Sequence, residues 1–82
     1  MRHQVLVQAR QRPEILERIL RVVRHRGFQI TAMNMAQEND DKIQLHLTVV
    51  SERPLYLLTS QIDKLMDVEY VDSEYQTSQR IA

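Results

Sequence analysis

The side chains able to do chemistry in this 82-residue chain are few and scattered. Its serines are Ser51, Ser60, Ser73 and Ser78, and none stands in the G-x-S-x-G turn that exposes a nucleophile. The histidines His3, His25 and His46 share neither an i,i+4 nor an H-x-H spacing, so no pair of imidazoles is set to grip a metal. Cysteine is absent, which removes disulfides, thiolate metal sites and a thiol nucleophile. Gly27 is the only glycine, so neither G-x-G-x-x-G nor a Walker loop can be assembled to cradle a phosphate. The carboxylates of Asp40 and Asp41 fall in a polar turn and read as a solvated loop. The expectation is a chain with no catalytic group, metal or cofactor of its own.

Hydrophobic periodicity supplies the elements. Residues 3–10 (HQVLVQAR) alternate with period two, a strand with Val5, Val7 and Ala9 on one face. Pro13 is tolerated in a first helical turn, and from Ile15 the pattern changes to Ile15, Leu16, Ile19, Leu20, Val22 and Val23, an apolar helical stripe. Glu14–Arg18 and Glu17–Arg21 are spaced for i,i+4 pairing in the favourable order. Gly27 follows His25-Arg26, where a glycine closes a helix in the left-handed region. Phe28 to Gln37 reads as a second strand, a polar turn follows, and Ile43 to Val50 reads as a third. Ser51-Glu52-Arg53-Pro54 opens a second helix in which Leu55, Leu58, Ile62, Leu65 and Met66 share a face. Val68 to Glu74 is a fourth strand. The expected domain spans residues 1–75, with a flexible polar tail over 76–82.

The order β-α-β-β-α-β predicts an α+β, ferredoxin-like sandwich: a four-stranded antiparallel sheet, first and third strands central, with two helices on one face. The other face must then meet water or a partner. Lys and Arg total 11, as do Asp and Glu, but the signs are segregated. Residues 1–30 carry seven arginines against two glutamates, while residues 38–82 carry four bases against nine acids. Such a chain can self-associate or present a basic face to an acidic partner. Zero net charge, and central strands without aromatics, argue against nucleic acid. No apolar run approaches the roughly 20 residues of a membrane span, and the first residues lack the apolar core of a signal peptide. A cytoplasmic interaction module is what remains.

Candidate contact residues follow from the alternation. Leu6, Met33, Met35 and Val50 can project from the uncovered sheet face, and Tyr56 and Leu57 fall outside the stripe of the second helix. Asn34, polar between two methionines, suits an edge strand near a subunit contact. A bulge in the second strand would instead turn Met33 and Met35 inward as core; both arrangements remain open from the sequence.

The stretch from Leu16 to Phe28 (LERILRVVRHRGF) resembles the helix-to-strand passage of an ACT domain, where an apolar helix ends in Arg-Gly before an aromatic and a strand. With Ile30-Thr31-Ala32-Met33-Asn34-Met35-Ala36 and Gln61-Ile62-Asp63-Lys64-Leu65-Met66-Asp67-Val68, the resemblance extends to the small regulatory subunits of acetolactate synthase, in particular the short isozyme II form. Ending after one such domain also fits that form. The resemblance implies a non-catalytic partner of a large catalytic subunit, which holds thiamine diphosphate, magnesium and FAD and acts at the start of branched-chain amino acid synthesis. It also implies a homodimer through ACT domains. In valine-sensitive members a glycine in the loop before the first helix lets the effector reach backbone amides. Here the corresponding stretch is Arg12, Pro13 and Glu14: the proline lacks an N–H, and the glutamate places a side chain and a negative charge where a carboxylate would bind. The resemblance therefore predicts activation without tight valine binding. The alternative it leaves is a free-standing amino-acid-sensing ACT domain.

Overall fold

The computed structural model describes residues 1–74. Six elements follow in the order β1 (Arg2–Arg10), α1 (Ile15–His25), β2 (Gln29–Gln37), β3 (Lys42–Val50), α2 (Tyr56–Asp63) and β4 (Val68–Glu74). The strands form one antiparallel sheet in the order β2-β3-β1-β4, so the two strands with the cleanest apolar alternation are central. The tail expected over 76–82 lies outside the described residues.

Period-two alternation sorts each central strand into two sets. Val5, Val7 and Ala9 of β1 and Ile43, Leu45, Leu47 and Val49 of β3 are buried on the helix side. Ile15, Ile19 and Val23, spaced i,i+4, come down on them from α1, and Leu58 and Ile62 do so from α2. Phe28 closes the core where β2 begins. Burying each of the Val, Leu, Ile and Phe side chains among them stabilises the fold by about 1.5–3 kcal/mol before entropy is counted.

The ends of the elements follow from local chemistry. The Phe28 N–H donates to the Val23 carbonyl and the Gly27 N–H to the Arg24 carbonyl, both at 3.1 Å, the paired bonds of a Schellman stop. That geometry needs the left-handed backbone Gly27 supplies, with φ 85°. In the β2–β3 hairpin, Asn39 Oδ1 accepts the N–H groups of Asp41 (2.8 Å) and Lys42 (3.1 Å), an Asx turn. The second helix is shorter than its apolar pattern suggests. After Asp63 the chain tightens into i,i+3 bonds, Lys64 N–H to the Gln61 carbonyl and Leu65 N–H to the Ile62 carbonyl. The tighter turn leaves Leu65 packed on the core but swings Met66 into solvent at 86% exposure, so Met66 does not share the helix's apolar face.

Candidate functional site

Three surfaces bear on function: the loop between β1 and α1, the uncovered sheet face, and the free edge of β2.

The loop is built by backbone pairing at one end of the sheet. The Arg10 N–H donates to the Asp67 carbonyl at 2.8 Å and the Gln11 N–H to the Asp41 carbonyl at 2.7 Å, so three connections meet there. Arg12 Nε lies 3.6 Å from Asp67 Oδ1, drawn toward the α2–β4 connection. Glu14 occupies the position before α1 with φ −104°, a conformation open to any residue. Its side chain does not cap the helix; Oε2 accepts from Arg18 at 3.3 Å, one turn on. The helix N-terminus is thus flanked by a carboxylate and a proline. Of the two i,i+4 pairs expected on α1, Glu14–Arg18 forms; Arg21 has no ion pair among the described residues.

On the uncovered face, the register of β2, β3 and β1 aligns side chains in rows. Leu6 pairs with His46 and His46 with Asn34 in the middle row. Gln4, Thr48 and Ala32 form the row on one side, and Gln8, Gln44 and Ala36 the row on the other. Over these three strands the rows contain no Asp, Glu, Lys or Arg; on β4 the middle row continues to the exposed Asp72, opposite Leu6, and the Gln4 row to Glu74. A shallow depression of about 210 Å³ lies between Gln4, Leu6, His46 and Thr48. At the loop end, Glu69 accepts from Gln8 Nε2 (3.2 Å) and Lys42 Nζ (3.2 Å), with Arg10 Nε at 4.0 Å. The hydrogen bonds from Gln8 and then Lys42 hold the Glu69 carboxyl below its usual range, and the charges of Lys42 and Arg10 act in the same direction. Glu69 reaches this position because β4 is bulged there: Gln8 pairs with Tyr70 and Ala9 with Val68, leaving Glu69 as the extra residue. This cluster spans three strands, and no local spacing in the sequence signals it.

The contact residues expected from the sequence do not form one surface. Leu6 and Val50 are on the uncovered face, both half-buried, and Asn34 joins Leu6 in the middle row. Met33 and Met35 are not there. A bulge between Ile30 and Ala32 shifts the β2 register by one residue, so Met33 pairs with Leu47 and Met35 with Leu45, on the helix side. The arrangement that turns them inward is the one adopted, and the centre of the uncovered face, over β2, β3 and β1, is polar rather than half apolar. Yet the methionines are not core. Met33 is 46% exposed and Met35 47%, because the helices do not reach over this edge strand, and residues 31–37 are exposed throughout. Tyr56 and Leu57 lie in the helix layer at the start of α2, Tyr56 exposed and Leu57 half-buried. Leu20 is an addition: half-buried but not packed on the core, on the α1 flank away from the Arg26–Gln61 contact with α2. Among the described residues no group of three or more His, Asp or Glu is placed to hold a metal ion, and no helix is long and apolar enough to cross a membrane.

Fold and loop together define an ACT domain. The ACT domain family model matches residues 11–71, and the chain belongs to that family. The ACT domain of the GTP pyrophosphokinase from Chlorobium tepidum superposes with a TM-score of 0.79 at 13% identity, covering 90% of this chain and 97% of that one. The C-terminal domain of the MgtC protein from Mycobacterium tuberculosis gives 0.72 at 18% identity, over 89% and 84%. Within the family the chain groups with the isozyme 2 small subunits of acetolactate synthase. It is 57% identical over 72 residues to the acetolactate synthase isozyme 2 small subunit of Escherichia coli K12, covering 87% of this chain and 83% of the relative.

Proposed function

We propose that this chain is the regulatory small subunit of a cytoplasmic acetolactate synthase in branched-chain amino acid biosynthesis, which binds and activates a large catalytic subunit. The observation that carries the reading is the 57% identity with the Escherichia coli isozyme 2 small subunit, across nearly the whole of both chains. In this reading thiamine diphosphate, magnesium and FAD belong to the large subunit, and this chain adds no side chain to the chemistry. It acts by preferring the active arrangement of its partner; a tenfold activation needs about 1.4 kcal/mol of differential binding, within reach of a modest patch. Adding the purified chain to the large subunit and measuring pyruvate condensation tests this. The rate should rise several-fold, and an unchanged rate with no complex by sedimentation would overturn it.

Two features of the reading are finer. First, activation comes without tight valine binding. Pro13 offers no donor, Glu14 and its Arg18 partner occupy the helix start, and Arg12 is held by Asp67. Calorimetry should detect no micromolar valine affinity in the holoenzyme.

Second, the chain forms a homodimer along β2. This strand contains no charged residue, no proline and no glycine, so nothing guards its open edge. Met33, Met35 and Leu20 supply an apolar rim beside it. Antiparallel pairing of two β2 strands also sets the basic end of α1 (Arg24, His25) near its partner's acidic turn over residues 38–41, so the segregated charges agree with that orientation. Light scattering of the purified chain should give twice the chain mass.

A further inference from the structure

We infer that the uncharged rows on the uncovered sheet face are the surface that docks the catalytic subunit, an inference that rests on the functional reading above. The first support is composition. Charged residues make up 27% of the chain, yet over β2, β3 and β1 the three rows centred on Leu6, His46 and Asn34 contain none; the charges border them, Asp72 and Glu74 on β4 opposite Leu6 and Gln4 among them. A centre depleted of charge with a charged rim is the composition of a protein–protein contact. Here the rim at one end is Arg10 and Lys42, already engaged with Glu69.

The second support is the poor fit of other occupants. A nucleic acid needs unsatisfied cations, and two of the three bases on this face share a carboxylate. A small molecule needs an enclosing pocket, and the depression of about 210 Å³ beside Leu6 is below the usual range. That depression suits a single apolar side chain from a protein surface. A second copy is drawn instead to the bare edge of β2.

Area gives the third support. The rows measure about 14 by 20 Å, or about 280 Å² per protomer, too little for a stable complex alone. Antiparallel β2 pairing joins two such faces side by side, with Ala32, Asn34 and Ala36 at the seam. The floor then doubles to about 560 Å². With its rim it approaches the roughly 800 Å² per partner of a standard interface. Dimerisation at the edge therefore builds the face that docks.

The test is activation of the large subunit, titrated with the chain, for three variants. The double variant Gln4→Glu/His46→Glu places two charges in the rows at exposed positions. It should keep the homodimer mass and thermal midpoint while half-saturation rises at least tenfold. His46→Gln, which keeps a neutral polar side chain in the row, should raise half-saturation far less than the double variant does. Arg21→Glu, on the opposite layer and outside the homodimer contact, should titrate like the parent. A double variant that titrates unchanged, or a tenfold loss confined to the α1 variant, overturns this surface while the functional reading stands. Face-to-face stacking of two copies, seen as a tetramer mass that the double variant abolishes, also overturns it. If the parent chain neither binds nor activates the large subunit, both readings fall.

Discussion

Strands β3 and β2 lie side by side, and on the helix side their side chains pair Leu45 with Met35 and Leu47 with Met33. The leucines are fully enclosed; the methionines are nearly half exposed. Strand conformation, sheet and face are the same; what differs is that β3 lies under the helices and β2 at the open edge beyond them. Burial in this domain is thus set by how far α1 and α2 extend across the sheet. An apolar residue beyond their reach is available to a second protein.

The most forceful way to probe that contrast is truncation of both members of a pair. Leu47→Ala opens a cavity in a closed core and should cost about 2–5 kcal/mol by chemical denaturation. Met33→Ala in the isolated protomer should cost well under half of that, because the site already borders solvent. Equal losses would mean β2 is as enclosed as β3. Met33→Lys/Met35→Lys addresses the same edge from outside. A folded chain of single mass by light scattering is expected, and an unaltered dimer would remove the edge from the interface.

The inward face can also be tested by acid. His3 is buried at the start of β1, and desolvation, then the nearby N-terminal ammonium, lowers its pKa below the usual 6.5. The folded state thus disfavours the imidazolium. Stability from this group is complete above about pH 6.5, where the unfolded imidazole is neutral, and is lost as pH falls toward and through the lowered value. Between pH 7 and 5 the melting temperature should fall more steeply for the parent than for His3→Gln. The smallest effect is expected at Gly27→Ala, about 1 kcal/mol for a left-handed alanine. The added Cβ would come within 2.9 Å of Arg53 Nε, at a flexible side chain that can move.

Much of this architecture was readable in the chain because it depends on local order. Val5, Val7 and Ala9 alternate, Ile15, Ile19 and Val23 repeat every turn, and Arg26-Gly27 ends the helix; each needs only neighbours within four residues. The edge strand was not readable in the same way. Whether Met33 faces the helices or the open side depends on one unpaired residue at Thr31, decided by register against β3 rather than by its own sequence. Glu69 meets Lys42 and Arg10 across three strands, again through a bulge. Met66 continues a helical spacing in sequence, but the chain leaves that spacing after Asp63. The loop residues Arg12, Pro13 and Glu14 were identifiable in sequence, whereas Arg12's attachment to Asp67 required the folded connections.

The irregularity at Thr31 also decides which side of the sheet is greasy. Were Thr31 to take its place in the ladder opposite Thr48 instead of bulging, every later residue of the strand would trade sides, sending both thioethers to the flat back of the sheet and Asn34 beneath the helices. One register step therefore separates a protein that is greasy along its flank from one that is greasy across its back, and its assembly with other chains would change accordingly.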